Sequence, residues 1–183
     1  MSTNLLIPLL ALGVAGCTAL APFDPASPYW LPPVGSEVDL KQALEVPPQS
    51  ARVFLQQGKA VAKSGVNQFL PNCNFEVNQV FEDSSQTIQP DTFRVRRVGR
   101  QWEEVVQQVP TQYAALHLAR GSVDGGTSPI IHAVHFWLES PRQPEVRRLS
   151  CRGAVDDPPK AKPPTGEEIF QALGDIAKLR VPD

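Results

Sequence analysis

Ile130-Ile131-His132-Ala133-Val134-His135-Phe136-Trp137-Leu138 is the stretch on which the fold turns. Apolar side chains occupy both parities of it, the pattern of a strand covered on both sides rather than one with a wet face. It is read as the centre of a sheet. Upstream, Ala114 to Arg120, with Leu116 and Leu118 in phase, is separated from it by Asp124-Gly125-Gly126, so the two segments read as a hairpin with a longer loop. Downstream, Val146 to Val155 returns as a strand whose apolar phase Arg147 breaks near its start.

Further out the same alternation recurs. Val38, Leu40, Leu44 and Val46 give strand spacing over 37–46 until Pro47-Pro48 forces a break. Arg52 to Lys59 is a second candidate, with Val53 and Leu55 on one face, and Asn74 to Phe81 a third, with Phe75 and Val77 in phase with Cys73. Thr92-Phe93-Arg94-Val95-Arg96 alternates and then slips phase at Arg97-Val98 beside Gly99, which fits a bulge or a tight hairpin before Trp102 to Val109; the hairpin is preferred. Thr165 with Glu168 makes a capping-box pattern, and Ile169, Phe170, Leu173, Ile176 and Ala177 share one helical face before Pro182. The expected fold is mainly β, of the α+β type: an antiparallel sheet, sandwich or small open barrel of about six to eight strands, with one C-terminal amphipathic helix and one disulfide.

The chain of 183 residues suffices for one domain with a real core. A net charge of -2 gives no field that favours nucleic acid, so no nucleic-acid partner is expected. The 19 prolines cluster, and the clusters delimit the domain.

Leu5 to Gly16 is an uncharged run, too short to span a bilayer and of the length of an export signal's apolar region. It ends in Val14-Ala15-Gly16-Cys17, which resembles the lipobox of bacterial lipoproteins. The resemblance covers the leader only and identifies the chain as similar to small envelope lipoproteins of Gram-negative bacteria. It implies that 1–16 is removed as signal peptide, that Cys17 carries a covalent lipid, and that the protein is lipid-anchored at the outer membrane, periplasmic side, since Thr18 rather than Asp follows the cysteine. The alternative is a secreted or soluble periplasmic protein, because Ala19-Leu20-Ala21 fits an A-x-A cleavage site. Residues 17–35 then form a lipidated Pro-rich tether, expected to be extended, in which Tyr29, Trp30 and Leu31 dock on the domain or on the bilayer, with docking preferred. Residues 36–157 are read as the β domain and 158–183 as a Pro-rich spacer and helix.

Of the three cysteines, Cys17 is assigned to lipid, which leaves Cys73 and Cys151 an even pair in an oxidising compartment. Leu149 and Cys151 share a face, as Cys73 and Phe75 do, so both thiols point inward and a disulfide worth about 4–5 kcal/mol is expected.

Catalytic motifs are absent. His117, His132 and His135 are the only histidines, and on a strand His132 and His135 fall on opposite faces, so no metal site is expected. No Gly-x-Ser-x-Gly elbow or Gly-rich phosphate loop occurs, and the carboxylate pairs Glu103-Glu104 and Asp156-Asp157 read as solvated. No cofactor is expected beyond the lipid on Cys17. Arg94 and Arg96 share the outward face of their strand and, with Trp102 and Trp137, make the candidate ligand or partner surface. The expected function is that of a non-catalytic accessory or structural component of an envelope assembly, bound to a membrane and to an envelope protein. The alternatives are a binding module for a small apolar or glycan ligand and, last, an unrecognised hydrolase.

Overall fold

The computed structural model describes residues 24–105 and 128–182. Cys17, the leader, and the strand and loop read over 114–126 lie outside the described residues, as does His117. Among the described residues ten strands and one α-helix follow in order: β1 (Glu37–Leu40), β2 (Leu44–Val46), β3 (Arg52–Gln56), β4 (Lys59–Val61), β5 (Asn72–Val77), β6 (Gln86–Ile88), β7 (Asp91–Glu104), β8 (Ile130–Glu139), β9 (Val146–Arg152), α1 (Gly166–Leu173) and β10 (Ala177–Arg180). Eight strands form one antiparallel sheet in the order β10-β1-β7-β8-β9-β5-β3-β4, curled into a half-barrel, and β2 pairs with β6 separately. The fold is thus mainly β, with a single α-helix among the described residues and a Cys73–Cys151 disulfide, and β8 lies in the middle of the sheet.

One face of this sheet makes the core. Val38, Leu55, Phe75, Phe93, Val95, Phe136 and Leu149 are wholly or almost wholly buried there, and α1 closes it with Ile169 and Leu173. The disulfide belongs to the same layer: Cys73 and Cys151 face each other in register on β5 and β9, with Cα atoms 4.0 Å apart.

Two phase slips in the sequence are two bulges. The preferred hairpin near Gly99 does not form; β7 runs on unbroken to Glu104, and its pairing with β8 shifts between Val95 and Arg97 so that Arg96 is the extra residue. The reason is β8, whose ten residues give β7 a partner from Arg94 to Glu104, past the point where it would have had to turn. A second shift, opposite Glu76 and Val77, makes Arg147 the extra residue of β9. A bulge re-aims side chains. Here it lets Val146 join the core while Arg147 and Arg148 both reach toward the other face.

Other boundaries move for local reasons. The 52–59 candidate is a hairpin of β3 and β4 turned by Gln57 and Gly58, both at positive φ. The 37–46 candidate supplies strands to two different sheets, the Asn74–Phe81 candidate stops at Val77, and β9 stops at Arg152. The capping box forms as expected: Glu168 N–H donates to Thr165 Oγ1 at 3.2 Å, and Thr165 N–H to Glu168 Oε2 at 2.8 Å. The helix is shorter than expected, however. It ends at Leu173 because Gly174 takes a positive φ and lies against Gly58 so closely that a Cβ on Gly174 would stand 2.4 Å from the Gly58 Cα. Ile176 and Ala177 are buried, but Ala177 opens strand β10 and not a last helical turn.

The Pro-rich segment expected to be extended is turned over Asp24–Trp30, where Ser27 N–H donates to Asp24 O and Trp30 N–H to Ser27 O. Trp30 is 3% exposed, edge-on to Phe170 with ring centroids 5.8 Å apart and seated on Gly166. Removing such a ring typically costs roughly 3–5 kcal/mol, enough to outweigh the ordering of a short proline-stiffened segment. Tyr29 beside it is exposed.

Candidate functional site

The sheet face turned away from the core is also largely withdrawn from solvent, and it is polar. β5 shows why: in Asn72-Cys73-Asn74-Phe75-Glu76-Val77 every residue is buried, the odd-numbered ones in the core and the even-numbered ones on the opposite face. Register aligns two rows there. Phe54, Asn74, Ser150, His135 and Gly99 stand side by side on β3, β5, β9, β8 and β7; next to them run Arg52, Glu76, Arg148, Trp137 and Arg97.

Glu76 is the hub of the second row. Its Oε2 accepts from Arg52 Nε and Arg148 Nη2, both at 2.9 Å, and its Oε1 lies 3.5 Å from Arg147 Nη1. Burial pushes the carboxyl's pKa up, but the hydrogen bonds and charges of Arg148 and Arg52 outweigh it and hold the group below the ordinary glutamate value. Three guanidiniums thus share one carboxylate. Beyond them, Arg97 lies over the Trp137 ring at 3.5 Å from its centroid, a cation–π contact that Gly99 leaves room for.

In the first row His135 Nδ1 and Ser150 Oγ are 2.8 Å apart, and Asn74 Nδ2 donates to Ser150 O at 3.3 Å. His135 is 2% exposed. Burial, reinforced by the charges of Arg148 and Arg152, lowers its pKa to about 4, so the ring is neutral at physiological pH. Among the described residues, His135 Nε2, Asn74 Oδ1 and Arg148 Nε are buried without a hydrogen-bond partner. All three belong to this face.

A Ser–His contact invites comparison with a nucleophile and its base, but the chemistry does not follow. Ser150 sits mid-strand and 1% exposed rather than on a sharp turn, His135 Nε2 has no carboxylate to orient the ring, and an imidazole with a pKa near 4 is a poor base at neutral pH. Among the described residues no three His, Cys, Asp or Glu side chains converge as a metal site would need.

The residues singled out from sequence are not gathered in one place. Arg94 and Arg96 are exposed on β7, with Arg94 opposite Glu37 and Glu139 and Arg96 Nε 3.8 Å from a Glu139 carboxylate oxygen. Trp102 is exposed opposite His132, on the sheet face opposite to that of Trp137. Sequence reasoning missed Glu76, Arg52, Arg147 and Arg148. The signal was a charged residue inside an otherwise apolar strand and an arginine doublet at a phase slip.

Beside Glu76 the polar face opens into a groove of about 1180 Å³ between the 45–53 and 60–64 segments. Arg52, Lys63 and Arg147 border it, with Phe54, Val61 and Val77 among its apolar lining. The site so defined is a groove with a lining of mixed charged and apolar character on a curled antiparallel sheet. Comparison with family models, with curated proteins and with solved structures gives no match to this chain.

Proposed function

We propose that this chain is a lipid-anchored envelope lipoprotein whose β domain, held on the periplasmic side of the outer membrane, works as a non-catalytic accessory component of an envelope assembly. The observation that carries the reading is the cysteine pairing. Cys73 and Cys151 bond to each other inside the fold, so the thiol in Val14-Ala15-Gly16-Cys17 is left without a protein partner among the cysteines and is available for lipid. A disulfide-stapled core agrees with an oxidising compartment.

The test is in-cell crosslinking of the natively expressed protein, followed by mass spectrometry of the membrane-extracted product, with Cys17→Ser as control. The expected result is an acylated mass beginning at Cys17 and a reproducible protein partner that disappears in the control. A product cleaved after Ala21 and free of lipid would replace the anchored reading by simple secretion.

A further inference from the structure

The groove beside Glu76 has a chemistry of its own. Its charged side chains are Arg52, Lys63 and Arg147 against Glu45 and Glu76, which leaves a single positive charge uncompensated. Glu76 is already shared between Arg52 and Arg147 inside the groove and Arg148 behind it, so Arg147, half exposed, has guanidinium N–H groups to spare. Around these charges part of the lining is apolar: Ala51, Ala60 and Val61 line the same space beside the polar Gln49, Ser50, Ser64 and Asn78, and the exposed Phe81 stands near one end, its carbonyl accepting from the Gln49 N–H.

Three kinds of occupant can be separated on these facts. A peptide strand adding to the free edge of β3 needs the outward N–H and C=O of Arg52, but both are satisfied within the chain: Arg52 N–H donates to Ser50 Oγ at 3.1 Å, and that hydroxyl donates to Arg52 O at 2.9 Å. A glycan needs an exposed aromatic platform, whereas Phe54, the one ring among the groove's lining residues, is 9% exposed, and the exposed Phe81 is not part of that lining. An anionic head on an apolar body matches the sign of the excess charge and the apolar part of the lining. The volume, about 1180 Å³, lies a little above the ordinary range of small-molecule sites, about 300–1,000 Å³.

We infer that the groove binds a single-chain amphiphile with an anionic head, the head on Arg147 and Arg52 and the chain over Val61, Ala60 and Ala51. This goes beyond the anchored accessory reading and does not depend on it. Carboxylate and phosphate monoester heads share the chemistry.

The test is equilibrium dialysis of the full chain, in nanodiscs of zwitterionic lipid with empty nanodiscs as blank, against dodecanoate and dodecyl phosphate, with dodecanol and acetate as controls. Saturable binding of at least one anionic amphiphile is expected, and their ratio distinguishes fatty acid from phosphate-headed lipid. Arg147→Gln should weaken it about tenfold, the value of one charge-assisted hydrogen bond. Ala62→Trp, which fills the groove from an exposed position, should abolish it with the guanidiniums intact. Equal binding of dodecanol and dodecanoate, no saturable binding of either anion, or binding indifferent to both substitutions would overturn the inference.

Discussion

Asp91, at the start of β7, and Glu76, in the middle of β5, are both carboxylates taken almost wholly out of water, with side chains 4% and 7% exposed, and their surroundings differ in kind. Asp91 accepts from Ser140 Oγ at 2.6 Å, from Gln143 Nε2 at 3.2 Å, from the Thr92 N–H at 2.8 Å and from the exposed Arg142. Gln143 then exchanges hydrogen bonds with both backbone groups of Gln89, so the β8–β9 connection is pinned to the entry of β7. That network is closed and mostly neutral. Glu76 collects three guanidiniums, with Arg148 Nε, His135 Nε2 and Asn74 Oδ1 unpartnered on the same face. A carboxylate that satisfies neutral neighbours fixes a corner of the chain; one outnumbered by cations leaves a field directed outward, and the groove opens beside the second kind.

The difference is sharpened most by reduction. The Cys73–Cys151 bridge spans 78 residues and joins the two strands that carry Glu76 and Arg148, so reduction or Cys151→Ala should cost about 4–5 kcal/mol in urea unfolding. Glu76→Ala comes next. Arg148 is 18% exposed and cannot fully rehydrate, so losing the shared carboxylate should cost about 4 kcal/mol. Because bridge and hub share β5 and β9, combining Cys151→Ala with Glu76→Ala should depart from additivity, whereas Cys151→Ala combined with an Asp91 variant should be additive. The reverse pattern would show that the bridge is coupled to the Asp91 network and not to the Glu76 hub.

Much of the fold could be read from the chain. The covered strand at 130–138, the capping box at Thr165 and Glu168, and the in-phase cysteines each carry a local signal, periodic or stereochemical, that tertiary structure does not reverse. The phase slips at Arg97 and Arg147 were also visible. A slip alone does not say whether the chain turns back or takes in an extra residue, because that depends on a partner strand far away in sequence. The helix boundary at Leu173 was missed for a related reason: Gly174 ends it against Gly58, more than a hundred positions earlier. The site was less legible still. Glu76 meets Arg147 and Arg148 only through the register of β5 with β9, and sequence carries no register.

Acid separates the two carboxylate regions by pH window. His135, beside the Glu76 hub, has a folded pKa of about 4 against an ordinary 6.5, so between those values the unfolded chain takes up a proton that the native state refuses. Its contribution is complete above pH 6.5 and is lost as pH falls toward 4, by about 3 kcal/mol. Asp91, held at about 2 against 3.8, loses its contribution only lower, as pH falls from 3.8 toward 2, since its hydrogen bonds and Arg142 outweigh the upward push of burial. Urea midpoints taken from pH 7 to pH 4 should therefore fall for the native chain and fall much less for His135→Gln, in which Glu76 adds its own loss only below about pH 4.5. A decline of the same size in that variant would place the titrating group elsewhere.

The smallest effect bears on the closed network. Asp91→Ala removes one acceptor from several donors, and two of the residues it strands, Ser140 and Gln143, are themselves buried, so about 2 kcal/mol should be lost even though Arg142 is free to turn into water. Arg142 is 72% exposed, and Arg142→Ala should cost less than about 1 kcal/mol, as exposed ion pairs usually do. At Glu76 the gap closes, because there the buried partner is itself a cation: Arg148→Ala should approach the cost of Glu76→Ala. Measuring the four single variants by urea unfolding compares the two networks directly. If Arg142→Ala proved as damaging as Asp91→Ala, the corner at Asp91 would be held by charge as the sheet face is, and neutral hydrogen bonding would no longer account for its closure.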